Sequence, residues 1–167
     1  LNQYDSAIGS YAFCNCTSLV SVTIPSSVTK IEKETFQFCE SLKEVKIAHK
    51  SKLKEIKQYS FVDNLLLEEI NIPNKIELLS PQAFINTPSL KCIMKQSNKK
   101  YFVMKDYSIY SPKRELIFVP RNLESFKVMP KCHVIYEGAF CGANIKSVTF
   151  SDESLKRIEK RAFAHST

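Results

Sequence analysis

Ile8-Gly9-Ser10-Tyr11-Ala12-Phe13-Cys14-Asn15-Cys16-Thr17-Ser18-Leu19-Val20-Ser21-Val22-Thr23-Ile24-Pro25-Ser26-Ser27-Val28-Thr29-Lys30-Ile31 is one unit of a pattern that returns along the chain. Ile31 and Phe36 are followed by Leu42, Val45 and Ile47. Ile56 and Phe61 are followed by Leu67, Ile70, Ile72 and Pro73, and Leu79 and Phe84 by Leu90 and Ile93. Ile135, Ala139 and Phe140 precede Ile145, Val148 and Phe150; Ile158, Ala162 and Phe163 open one more copy. The period is near 23 residues, within the range of tandem arrays. One such unit cannot bury its own apolar face, so neighbours must stack into a solenoid. Function is then expected on an extended surface, with no need of a cleft.

Within a unit, Val22 and Ile24 alternate with polar Ser21 and Thr23, the period of a half-buried strand. Leu42 to Ile47 and Leu67 to Ile72 repeat it. Pro25 and Pro73 end their strands, because proline donates no ladder hydrogen bond. Val28 and Ile31, or Leu53 and Ile56, turn inward in a second extended stretch. Glu34 to Phe38 is expected to form a short helical turn whose Phe36 fills the core. Phe13, Phe36, Phe61 and Phe84 are expected to form one column. Cys16, Cys39, Asn64 and Thr87 share one place in successive units, which suits a small residue at a corner. A buried thiol or a disulfide between stacked corners would both satisfy that spacing.

Residues 8–31 read Ile-Gly-x-x-Ala-Phe-x-x-Cys-x-x-Leu-x-x-Val-x-Ile-Pro-x-x-Val-x-x-Ile. This string resembles the BspA-like, or Treponema pallidum-type, leucine-rich repeat. Residues 31–93 and 135–163 follow it with Thr35 and Ser60 in place of Ala and Asn64 and Thr87 in place of Cys. The expected fold is an α/β repeat solenoid, with short parallel strands, short helical turns and one β-hairpin island. Members of the family occur in bacteria and protozoan parasites, as surface proteins that bind host matrix proteins or other cells. The resemblance therefore implies a non-enzymatic protein-binding or adhesion module at a cell surface or secreted.

Residues 95–134 depart from the pattern. Tyr107 to Tyr110 and Leu116 to Val119 are β-prone runs joined by Ser111-Pro112-Lys113-Arg114-Glu115, which reads as a hairpin. Phe126 to Pro130 resembles a repeat strand ending in its proline. One solenoid over 1–167 is expected: regular repeats 8–94, an enlarged hairpin-bearing coil 95–134, and regular repeats 135–167, the last truncated. The enlarged coil holds nine Lys and Arg against three Asp and Glu, so it carries most of the net charge of +7. Lys99, Lys100, Lys113 and Arg114 mark a candidate patch for a polyanion such as a sulfated glycan. No groove-reading helix or nucleic-acid motif accompanies it, so no nucleic-acid partner is expected.

The outward strand positions form the candidate protein-binding face: Ser21 and Thr23, Glu44 and Lys46, Glu69 and Asn71, Cys92 and Met94, Ser147 and Thr149. Asn15-Cys16-Thr17 is an acceptor triplet for N-glycosylation on a secreted chain. The six cysteines form no Cys-x-x-Cys pair, and His49, His133 and His165 are scattered. No catalytic, cofactor-binding or metal-ligating residue is therefore expected, and no cofactor. No run of about 18 apolar residues exists, so no direct membrane insertion of this segment is expected. The first residue is Leu, which fits a piece of a longer protein. The alternative readings are a cytoplasmic scaffold, or a regulatory repeat segment attached to another activity.

Overall fold

The computed structural model describes residues 6–166. Strands β1 (Ser6–Ile8), β2 (Ser21–Ile24), β3 (Val28–Ile31), β4 (Glu44–Ile47), β5 (Glu55–Ile56), β6 (Glu69–Ile70) and β7 (Leu78–Leu79) build the first coils. β8 (Phe102–Val103), β9 (Ile109–Tyr110), β10 (Glu115–Phe118), β11 (Ser125–Val128), β12 (Val134–Ile135), β13 (Ser147–Phe150) and β14 (Arg157–Ile158) complete the stack. Each coil contributes to two parallel sheets. The main sheet runs β2-β4-β6 and is continued by β11-β13; the second sheet runs β1-β3-β5-β7 and is continued by β10-β12-β14. The register is one unit per level: Val22 faces Val45, and Val45 faces Ile70.

Two kinds of corner join the sheets. A Phe corner leads from second-sheet strand to main strand, and a proline corner leads on to the next level. The Phe rings stack as the spacing predicts. Centroids are 5.0 Å apart for Phe13–Phe36 and 5.3 Å for both Phe36–Phe61 and Phe61–Phe84. Phe36, Phe61 and Phe140 are fully buried.

The corners are not helical, and this corrects the expected α/β class. Among the described residues the one helical element is the 3-10 turn Pro81–Phe84. The cause is visible two residues either side of each Phe. Tyr11, Glu34, Tyr59 and Arg161 on one side are left-handed, with φ of 55 to 62°. So are Asn15, Phe38, Asp63, Asn86 and His165 on the other, with φ of 53 to 61°. The Phe84 corner, with Asn86 alone, keeps the 3-10 turn; at the other Phe corners two left-handed residues break any helical run, at about 1–2 kcal/mol each. Their backbone amides turn along the stacking axis instead. Phe13 N–H donates to Thr35 O at 2.8 Å, Phe36 N–H to Ser60 O at 2.8 Å, and Phe61 N–H to Ala83 O at 2.9 Å.

The substitutions within the pattern acquire a reason. The Thr35 hydroxyl donates to Glu32 O at 2.7 Å, and the Ser60 hydroxyl to Lys57 O at 2.9 Å. In the shared Cys position, the Cys39 thiol donates to Phe13 O at 3.1 Å and the Asn64 amide to Phe36 O at 2.9 Å. Ser166 does the same to Phe140 O at 2.9 Å, whereas the Thr87 hydroxyl turns to Phe84 O of its own coil. The position wants a small side chain, and where that side chain is a donor it adds a bond to a Phe carbonyl; buried Ala143 fills it without one.

The irregular coil is built by subtraction as well as insertion. β9 and β10 form the predicted hairpin, and β8 pairs with β9 to make a three-stranded antiparallel meander. Between β10 and β11 the Phe corner is missing, so coils on either side of the gap meet. Gly138 (φ 77°) packs there so closely that a Cβ would lie 2.5 Å from Ile85 Cγ1. Arg121, 2% exposed, fills the remaining core. Its guanidinium donates to Val119 O at 3.0 Å, Ala139 O at 2.6 Å, Gly138 O at 3.1 Å and Phe84 O at 3.4 Å. Its Cζ sits 4.8 Å from the Phe118 ring centroid. Burial pulls the guanidinium down to about 10, so it remains a cation at neutral pH.

Phe61→Ala removes a middle ring and is expected to lower stability by about 3–5 kcal/mol, measured by urea unfolding followed with circular dichroism. Arg121→Ala leaves Val119 O without a donor and empties a buried site, and is expected to cost about 3 kcal/mol or more. Arg121→Lys should recover only part of that, because an ammonium lacks the planar fork. Full stability of Arg121→Ala in the same assay would contradict the plug.

Candidate functional site

The parallel register sets the exposed main-strand residues in two columns. Ser21, Glu44 and Glu69 stand in one, at paired positions. Thr23 and Lys46 are paired in the other, and Asn71 lies at the next level. All six are exposed, while the intervening Val45 and Ile70 are buried. Strand spacing of about 4.8 Å brings the Glu44 and Glu69 carboxylates side by side, an unfavourable arrangement by itself. Each has a lysine against it. Lys46 Nζ lies 3.1 Å from Glu44 and Lys95 Nζ 2.6 Å from Glu69. The hydrogen bond and charge of Glu69 hold the Lys95 ammonium above its ordinary range. These pairs are exposed and screened, so they organise the face more than they stabilise it. Val45, Ile47 and the four charged or amide side chains of this region line a shallow depression of about 360 Å³.

The face does not continue over Cys92 and Met94, as the alternation predicts. Both are buried, at 5% and 0% exposure. The turn between β8 and β9 meets Cys92, where Tyr107, Lys95 and Cys92 share the wall of a depression of about 370 Å³, and Met94 packs into the core. Beyond this turn the face resumes on β11 and β13. Ser147 and Thr149 are exposed there, paired with exposed Ser125 and Lys127. These last two were missed as face residues, although the alternation of Phe126, Lys127 and Val128 carries the signal.

Lys99, Lys100, Lys113 and Arg114 are all exposed. The meander register, Phe102 with Tyr110 and Tyr110 with Leu116, sets residues 99–100 and 112–114 at the same end of it. Asn15 is exposed at a left-handed corner, its amide donating to Cys14 Sγ at 3.5 Å. His49 and His165 are exposed, and His133 Nδ1 lies 3.2 Å from Ser154 O. Among the described residues no group of three His, Cys, Asp or Glu could hold a metal ion. No helix there is long and apolar enough to cross a membrane. All six cysteines are free thiols, including Cys16 and Cys39 at stacked corners. Gly9 has open space around it, whereas Gly138 is held by close packing.

The family model described as a BspA type leucine rich repeat region matches six copies, over residues 2–113 and 114–167. Three solved structures share the fold. The pneumococcal vaccine antigen PcpA is 26% identical, with a TM-score of 0.80 over 89% of this chain and 37% of its own. A leucine-rich repeat protein from Eubacterium ventriosum is 19% identical, with a TM-score of 0.74 over 97% and 49%. A leucine rich cell surface protein from Faecalibacterium prausnitzii is 21% identical, with a TM-score of 0.70 over 92% and 51%. The chain thus spans about half or less of each of these structures. No curated protein sequence matches it.

Burial pushes the Cys39 thiol up to about 11 and raises Cys92, Cys132 and Cys141 as well. Iodoacetamide at pH 8 is therefore expected to alkylate half-exposed Cys14 and Cys16 first. Peptide mass spectrometry after brief labelling checks the order; early modification of Cys39 or Cys141 would contradict it.

Proposed function

We propose, since the chain belongs to the BspA-type leucine-rich-repeat family, that it is a module which binds another protein through the exposed main-sheet face. Leucine-rich repeats of this kind are generally interaction modules without catalytic activity. The observation that carries the reading is the in-register grid of Ser21, Glu44, Glu69, Thr23 and Lys46 on rigid parallel strands. A preformed backbone leaves little to order on binding, so the contacts are not spent on organising the receptor. The grid is polar and of mixed sign, which suits specificity and register more than sheer hydrophobic affinity.

The place of action proposed is the cell exterior. One of the similar structures is a vaccine antigen and another a cell surface protein. The Asn15 triplet is exposed and available for glycosylation in that setting. Extracellular-matrix proteins or proteins of another cell are the proposed partners.

Purified matrix proteins immobilised on a biosensor provide the test. Wild type and the double variant Glu44→Arg, Glu69→Arg are compared, with Glu40→Lys on an exposed Phe corner as control. The double variant is expected to bind at least about tenfold more weakly, roughly 1.4 kcal/mol, and the control unchanged. Equal binding by all three would remove the strand face from the interaction.

A further inference from the structure

The proline corner, which follows each main strand, carries cations level after level. Exposed Lys50 and Lys52 stand on the link from β4 to β5, and exposed Lys75 on the link from β6 to β7. Lys99 and Lys100 stand on the next link. The β9–β10 turn brings Lys113 and Arg114 to the same corner, because Arg114 Nη1 donates to Pro130 O at 3.2 Å. Pro130 begins the link from β11 to β12, which carries exposed Lys131. Hydrogen bonds tie these links into one ridge. Lys52 N–H donates to Ser26 O at 3.0 Å, Asn74 Nδ2 to Gln96 Oε1 at 3.3 Å, and Asn98 Nδ2 to Asn74 O at 2.9 Å. Lys50, Ser51, Asn74 and Lys75 line one depression of about 280 Å³.

These cations differ from most lysines outside the ridge in having no carboxylate; Lys43, Lys105, Lys127 and Lys156 also form no ion pair with a described residue. Lys46, Lys54, Lys57, Lys91, Lys95 and Lys146 each form an ion pair. None of the ridge cations pairs with a described residue. Three of the acids near the ridge are held by other groups, while exposed Glu153 stands on the next link, from β13 to β14. Glu77 is taken by Lys54, Glu115 accepts from Ser111 and Tyr136, and Asp152 accepts from the backbone of Lys131 and Ser154.

We propose that this ridge binds a linear sulfated polysaccharide. At about 4.8 Å per level the cations run for about 20 Å along the stacking axis, and their summed field attracts a long anion. Lysine ammoniums act as point charges toward sulfate, and the amides of Asn74, Gln96 and Asn98 interleave with them as further polar groups. The chemistry disfavours the other polyanions. Residues 48–52, 74–75, 96–100, 112–114 and 130–131 contain no Phe, Tyr or Trp, and His49 is their one ring, whereas single-stranded nucleic acid is held by stacking of successive bases on several aromatic side chains. They also present no helix for a duplex groove. An anionic membrane would want several apolar side chains beside the cations; here exposed Asn74 and Gln96 stand between them, and Phe102 is the large exposed apolar side chain near Lys100. The ridge is separate from the strand face, so either surface can fail without the other.

The test is heparin affinity of the whole chain, measured by calorimetry across salt concentrations. Two ridge variants are compared: Lys50→Ser, Lys52→Ser, Lys75→Ser, and Lys99→Ser, Lys100→Ser, Lys113→Ser. The control, Lys54→Ser, Lys91→Ser, Lys146→Ser, removes the same charge from paired positions. Each ridge variant is expected to shallow the slope of log K against log salt by about two to three, with the control unchanged. A heparin tetrasaccharide should bind more weakly than a dodecasaccharide. Loss confined to the second ridge variant would overturn the ridge in favour of a local patch. Equal loss in the control would reduce the effect to net charge. Tighter binding of single-stranded DNA or phosphatidylserine vesicles than of heparin would overturn the glycan assignment.

Discussion

Backbone hydrogen bonds directed along the stacking axis, at the corners as well as in the strands, constrain everything else in this fold. An amide at a corner has two options: bond within its own turn, as in a helix, or bond to the next level. Here the second option wins. Phe36 N–H reaches Ser60 O, and Phe38 N–H reaches Val62 O at 3.0 Å. The cost is one left-handed residue at the Phe84 corner and two at the other Phe corners, several of them bulky, such as Tyr11, Phe38 and Tyr59. That cost is tolerable because every level is held by both neighbours, and because the Phe column buries a ring at each step. Such a stack resembles a continuous ladder bent around its corners, with side chains filling its centre.

The irregular level shows how the same constraint handles a defect. Where the Phe corner is lost between β10 and β11, Val119 O has no backbone donor among the described residues, and Phe84 O, Gly138 O and Ala139 O each accept a second bond beside the one they already hold. Arg121 supplies several donors from one side chain and closes the gap with its aliphatic stem. A buried cation without a counter-ion is ordinarily costly; a cage of carbonyl dipoles and the Phe118 ring offset that cost. Length removed from one corner reappears at the other, where the β8–β9 turn of the meander meets Cys92 at the main sheet. The defect thereby bounds the exposed face on either side.

The two candidate surfaces differ in how charge is arranged. On the strand face Glu44 and Glu69 are matched by lysines, leaving a polar grid with little net field. On the proline corner the cations stand without carboxylates, so their fields add. A net charge of +7 is thus concentrated along one edge.

Period alone carried the reading a long way. The spacing of Ile, Phe and Leu implied stacked coils, the ring column, the strand register and the antiparallel hairpin, because burying a repeated apolar stripe has few geometric solutions. Ser21, Thr23, Glu44, Lys46, Glu69 and Asn71 followed directly from strand alternation. What periodicity could not convey was the conformation of the corners, since left-handed turns and a helical turn place Phe36 inward equally well. Nor could it convey the fate of Cys92, which a distant turn meets, or of Arg121, which reads as one more surface cation until the missing corner is seen. Lys50, Lys52, Lys75 and Lys131 lie apart in the chain; only three-dimensional stacking sets them on one ridge with Lys99 and Lys113, because adjacency along the axis is a property of levels, not of neighbours in sequence.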